Sequence, residues 1–283
     1  MGVGPARHRE YRGCRGFRAK GLYSQSPINP LAALVTALLL ALTTGGSNGP
    51  GSSPPFGVPA PRAIAIGSVG HDISWPQCGK GQPAGGAFGI VGVTGGRPYT
   101  ANPCLTSQFA WAEATPGGAG FYMNTSNPGS AAVALNWYAQ NSPDAACRPG
   151  NDAACAYDYG FNAATAAFNH AVATTGAGAG RVWWLDVEPD NSWSSTDIVA
   201  NRAAVQGSID SLQRQPGVIV GIYSTARMWN RIMGNFQLPL PNWVAGANNA
   251  AEAIAHCAPA FSATGGPAVL SQWVEAFDNN YVC

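Results

Sequence analysis

The chain has 283 residues, 46% hydrophobic and only 10% charged, with 36 Gly and 22 Pro; this is a globular composition with room for one large α/β domain or two small ones. The net charge of +1 is unevenly spread, because Arg7, Arg9, Arg12, Arg15, Arg18 and Lys20 crowd the first twenty positions. From Ala63 onward eight Lys and Arg face thirteen Asp and Glu, a net of −5, so no basic patch argues for nucleic-acid binding.

In chain order, the basic stretch leads into LAALVTALLLAL, Leu31 to Leu42. That order and length fit a secretory signal over residues 1–44 and fall short of the roughly 20 residues a membrane span needs. Residues 45–62, GGSNGPGSSPPFGVPAPR after Thr44, are Gly/Ser/Pro-rich without periodicity and read as a flexible tether. The folded domain is expected over 63–283. Within it, apolar runs predict strands at 68–74, 88–94, 119–125, 181–188, 218–224, 242–247 and 268–274. Helical patterns lie between them at 105–114, 130–140, 158–175 and 195–213. Strand–helix alternation with near-continuous apolar strands implies a parallel sheet covered by helices. Seven or eight strands in one domain of this length point to an irregular TIM-like β/α barrel, with fewer helices in the last third.

Six cysteines follow the signal: Cys78, Cys104, Cys147, Cys155, Cys257 and Cys283. An even number in an exported chain reads as disulfides, and sequence proximity favours Cys78–Cys104, Cys147–Cys155 and Cys257–Cys283. No C-x-x-C pair occurs and the histidines are scattered, so zinc is disfavoured.

The stretch RVWWLDVEPDNSW, Arg181 to Trp193, places Asp186 and Glu188 at the end of an apolar strand. Two residues apart on a strand, they share a face. Active sites of parallel α/β folds gather where strands end, and the other acids follow that rule: Asp72 near the end of the first strand, Asp278 just after the last. Converging carboxylates can divide labour, one held protonated as an acid and another ionised as nucleophile, base or electrostatic stabiliser, as glycoside hydrolysis requires. Trp75, Tyr122, Trp183, Trp193, Tyr223, Trp243 and Trp273 lie at or near strand ends; Trp75, Tyr122, Tyr223, Trp243 and Trp273 are the candidates for stacking on sugar rings. Two plainer readings compete. Arg181, Arg97 or Arg227 could salt-bridge the D-x-E pair, or the four acids could hold Ca²⁺ in a structural wall protein.

Taken together, the segments resemble the family 25 glycoside hydrolases, lysozymes that cut the muramic-acid glycan of peptidoglycan. HDISWPQ resembles the family's opening strand, FGIVGVTGG its second, GFYMNT its third, and LDVEP its D-x-E strand. GIYS, NWVA and SQW follow in the family's order, and Asp278-Asn279-Asn280 resembles its final D-x-N. The resemblance implies an irregular barrel in which Glu188 is the general acid. Asp186 would be its carboxylate partner, stabilising an oxocarbenium-like transition state or orienting a substrate N-acetyl group. Asp72 and Asp278 would raise the proton affinity of Glu188. The implied partner is a cell-wall polysaccharide, with no cofactor, no metal and no stable membrane partner once the signal is removed. The chain departs from the family where VTGG carries Gly in place of a glutamate and where Met123-Asn124 replaces a histidine–aromatic pair. Those departures line the pocket, and a non-catalytic glycan-binding protein on the same barrel is the alternative.

Overall fold

The apolar runs at 68–74, 88–94, 119–125, 181–188, 218–224, 242–247 and 268–274 become seven strands of a closed eight-stranded barrel, each covered on both faces and therefore apolar along its length. The computed structural model describes residues 61–129 and 146–283. The expected signal (1–44), nearly all of the tether and the expected helix at 130–140 lie outside them. In chain order the elements are β1 (Val69–Ile73), β2 (Gly89–Gly92), α1 (Leu105–Glu113), β3 (Ala119–Asn124), α2 (Asp152–Thr175), β4 (Val182–Asp186) and α3 (Ile198–Gln213). They continue with β5 (Ile219–Ser224), α4 (Ala226–Met233), β6 (Asn242–Ala247), α5 (Ala250–Ala255), β7 (Ala268–Val274) and β8 (Asp278–Val282).

The barrel is mixed, which corrects the expectation of a parallel sheet. Strands β1 to β7 pair in parallel and in order, whereas β8 runs antiparallel to both β7 and β1. The cause is the connection, because only residues 275–277 separate β7 from β8. A parallel return needs a crossover of a dozen residues or more, so the chain can only double back. The last third is light in helix as expected, with α4 of eight residues, α5 of six and no helix between β7 and β8. Helix α2 starts earlier than the periodicity predicts, because Asn151 caps it by accepting from the Ala154 N–H and Asp152 occupies its first turn. Helix α3 starts later, where the Asp197 side chain accepts from the Ala200 N–H.

Two cores hold the barrel. Outside the sheet, Phe121, Met123, Trp183, Leu185, Val220 and Ile222 meet the helices. Inside, Phe88, Ile90, Trp184, Trp243 and Leu270 fill the lumen. Such large rings fit only because facing strands give way: a Cβ on Gly221 would collide with the Trp184 ring, and one on Gly92 would lie 2.7 Å from Tyr122 Cζ. The lumen is therefore closed by a layer of aromatics, and the polar residues of the next strand positions stand above that layer. At the opposite rim, Glu113 pairs with Arg181 at 2.7 Å and with Arg62 at 2.9 Å. Arg62, the last residue of the expected tether, is thus already fastened to α1. The three disulfides are Cys78–Cys104, Cys147–Cys155 and Cys257–Cys283, the pairs that proximity favours.

Candidate active site

Strand parity decides which acids meet. On β4, Trp184 lies in the lumen, so Asp186 and then Glu188 project on the same side as the strand runs out. Asp72 stands on β1 and is the register partner of Asp278 on β8. Because β8 is antiparallel, its first residue lies beside the carboxyl ends of the parallel strands. Asp278 therefore begins a strand, where the sequence suggests a position after the last one, and still reaches the same mouth. Tyr223 on β5 feels the charge of all four carboxylates, Glu188, Asp186, Asp72 and Asp278. That tyrosine marks the centre of the cluster.

Asp72 is 6% exposed and held by amides. Its Oδ2 accepts from Asn280 Nδ2 at 2.7 Å and from Gln272 Nε2 at 2.9 Å. Both amides are fixed in turn, since Trp243 Nε1 donates to Asn280 Oδ1 at 2.7 Å and the Tyr223 hydroxyl donates to Gln272 Oε1 at 2.7 Å. A ring of neutral donors thus encloses a carboxylate that has no cation among the described residues. Burial, and then the charge of Asp278, push its pKa up to about 7 against the pull of those two amides. Asp278 is itself raised by burial.

Asp186 is 4% exposed. Its Oδ2 accepts from Asn124 Nδ2 at 2.5 Å, while its Oδ1 has no hydrogen-bond partner among the described residues. Its carbonyl accepts from the Thr125 hydroxyl at 2.5 Å and from Asn191 Nδ2 at 3.2 Å, which pins the end of β4. Burial, then the charge of Glu188, hold Asp186 well above the usual carboxylate range, against the pull of the nearby Asn191 and Asn124 amides. Glu188 is half-buried, and burial followed by the charge of Asp190 raises it too. Its backbone is tied down, because its carbonyl accepts from Trp193 Nε1 at 2.9 Å and from the Asn191 N–H at 3.2 Å. No hydrogen bond among the described residues reaches its carboxyl group. A carboxyl with raised proton affinity, a fixed backbone and a free head can give up a proton to something that enters the mouth.

The aromatic candidates separate. Trp75 sits in a short 3-10 turn (Trp75–Gln77) after β1 and is 48% exposed, the most open of the five. Tyr122 and Tyr223 lie at the mouth, packed edge-on against Trp243 with ring centroids 6.3 and 4.6 Å away. Trp243 is 2% exposed, covered by those tyrosines and by Trp184, so it supports the site from beneath and offers no face to stack on. Trp273 neighbours the inward-facing Gln272 and therefore points outward, buried against Ala253 and Tyr281 with its Nε1 donating to Glu275. It stands away from the acids.

The competing readings also meet the structure. Arg181 pairs with Glu113 at the opposite rim, and the ion pairs among the described residues are that one and Arg62–Glu113, so neither Asp186 nor Glu188 has an arginine. Among the described residues no group of three or more His, Cys, Asp and Glu side chains is placed to share a metal ion. The holding amides Asn124, Gln272 and Asn280 are the residues that sequence reasoning missed as a set. For Asn280 the signal was parity, because it stands two residues from Asp278 on one strand.

No protein-family model matches the chain, and no curated protein matches it in sequence. Among solved structures it is similar to a muramidase from Trichobolus zukalii at 16% identity, over 77% of this chain and 94% of that one, with a TM-score of 0.45. It is similar to a family GH25 lysozyme from Aspergillus fumigatus at 14% identity, over 76% and 93%, with a TM-score of 0.44. A family 25 glycosyl hydrolase from Bacillus anthracis matches at 11% identity, over 82% and 94%, with a TM-score of 0.46.

Proposed function

We propose that the protein is a secreted glycoside hydrolase that cleaves cell-wall glycan in the manner of a muramidase, with Glu188 as its general acid. The observation that carries this reading is the pairing of Glu188 with Asp186 at the barrel mouth, both raised in proton affinity and neither matched by a cation among the described residues. Glu188 gives its proton to the glycosidic oxygen as the bond from that oxygen to the anomeric carbon breaks. The positive charge left on the sugar is met by Asp186, or by an acetamido group whose N–H the ionised Asp186 accepts at Oδ1, and water then adds to the anomeric carbon while its proton returns to Glu188. Asp72 and Asp278 keep the mouth acidic, so a proton stays available to Glu188. Trp75, Tyr122 and Tyr223 supply ring surface around the cleft, and Trp243 backs them. Residues 1–44 direct export, and three disulfides suit an oxidising destination.

The test is reducing-end release from purified peptidoglycan by the wild type and by Glu188→Gln. Release by the wild type alone supports the reading. Equal release by both removes Glu188 from its role. Saccharide binding without release by either favours the non-catalytic glycan-binding protein.

A further inference from the structure

Asn124 is the last residue of β3 and the register partner of Asp186 on β4. Its side chain is buried between Asp186 and Thr94, which lies just beyond β2. The Thr94 hydroxyl accepts from the Asn124 backbone N–H at 3.1 Å and donates to Asn124 Oδ1 at 2.7 Å. With its lone pair taken by the backbone, that hydroxyl has its proton free for the amide oxygen. The amide is thereby oriented with Nδ2 toward Asp186. An amide N–H aimed at Oδ2 favours Oδ1 as the seat of any proton on Asp186, so Oδ1 is open as an acceptor when Asp186 is ionised. Among the described residues Oδ1 is also the oxygen without a hydrogen bond. Buried carboxylate oxygens are seldom left unpaired, since each costs about 1–3 kcal/mol, and this one is buried at the strand end beside Glu188, where an entering donor would match it.

We propose that Asn124 is a positioning residue for Asp186, set by Thr94, which commits Oδ2 to the protein and reserves Oδ1 for a hydrogen-bond donor on the substrate. The inference rests on the proposed hydrolase reading for the identity of the substrate, but not for the geometry.

The charged and titratable groups that face Asp186 are Glu188 and Asp190 from its own strand end, Tyr122 from β3 and Tyr223 from β5. None of them is altered by a change at Asn124 or Thr94, so the effect of losing the amide can be read directly. The experiment follows the carboxyl carbon of Asp186 by NMR in aspartate-labelled protein, with Asp186→Asn assigning the signal, alongside kcat and KM on peptidoglycan. In Asn124→Leu the midpoint of Asp186 should move up by about one pH unit or more, because a donor to the ionised form is gone. Turnover should fall about tenfold or more with KM little changed. Thr94→Val should move the midpoint the same way by less, and Thr94→Ser should restore it. Should Asn124→Leu fail to fold, the Thr94 pair decides. An Asp186 midpoint that stays put in Asn124→Leu, or in Thr94→Val if that variant must decide, overturns the inference. If the wild type releases no reducing ends, the hydrolase reading fails, and the titration still decides the role of Asn124.

Discussion

The two ends of this barrel treat carboxylates in opposite ways. At the rim where strands begin, Glu113 meets Arg181, Arg62 and the Ala119 N–H. Burial is the largest single influence on it and opposes ionisation, but the hydrogen bond and charge of Arg181 and the other donors outweigh it and hold its pKa below the usual value. At the mouth, Asp72, Asp186, Glu188 and Asp278 have amides, one another and, among the described residues, no arginine, and all four are raised. The carboxylate that fastens the base is given two arginines. The mouth holds two buried carboxylates, Asp72 and Asp186, and two half-buried ones with no ion pair among the described residues, an arrangement maintained against their own solvation. The contrast answers what Asp186 and Glu188 are for better than either residue does alone.

The contrast breaks most sharply at Glu188. Glu188→Gln keeps size and packing while removing the proton, so kcat on peptidoglycan should fall by about 10²-fold or more while the melting temperature holds. A smaller effect is expected from the amides around Asp72. Asn280→Leu removes a donor to Asp72 Oδ2 and the acceptor of Trp243 Nε1, and should cost about 1–3 kcal/mol in denaturant unfolding. If that variant melts like the wild type, the ring of amides is not holding the carboxylate.

How stability varies with pH sharpens the same comparison. Asp72 has its pKa raised from 3.8 to about 7, so between those values the folded protein keeps a proton that the unfolded chain has lost. Stability from this group is full below pH 3.8 and is lost as pH rises toward about 7. Calorimetry should therefore show the melting temperature rising as pH is lowered from 7 to 5, and Asp72→Asn should flatten that slope. A slope that survives the substitution would place the linkage elsewhere.

Much of this was legible in the sequence, and the gaps have physical causes. The seven apolar runs become strands because burial on both faces leaves no polar alternation to misread. Parity alone sets Asp186 beside Glu188. Strand β8 was hidden because DNNYV is polar: Asp278 and Asn280 face the mouth, where Asn280 is satisfied by Asp72 and Trp243, while Asn279 faces the other way and donates to the Phe277 carbonyl. The amide ring is likewise invisible in one dimension, since Gln272 and Asn280 reach Asp72 from some 200 residues away. Trp243 and Trp273 look alike as strand tryptophans, yet the first lies under the mouth and the second points outward. The short helix α4 went unread, and the structure shows it started by the Thr225 side chain accepting from the Met228 N–H.

The smallest expected effect lies at the far rim, and it has the opposite sign. Glu113 is lowered in pKa, so whatever it contributes is present above the unfolded value and lost as pH falls through the folded one. Its partners are partly exposed, with side-chain exposures of 16% for Arg181 and 50% for Arg62, so solvent screens the pairs. Glu113→Gln should cost about 1 kcal/mol or less and should shrink further at high salt. It should leave turnover untouched, since the aromatic layer of Phe88, Trp184 and Trp243 separates this rim from the mouth. Measured beside Asp72→Asn from pH 7 to below 4.5, it should remove part of the stability loss on the acid side, where Asp72→Asn removes a loss on the approach to pH 7: one carboxylate favours the fold at low pH and the other at high. If both variants changed the slope in the same direction, the division between a binding mouth and a fastened base would be wrong, and the arginine at Glu113 would have to be explained in the same terms as the amides at Asp72.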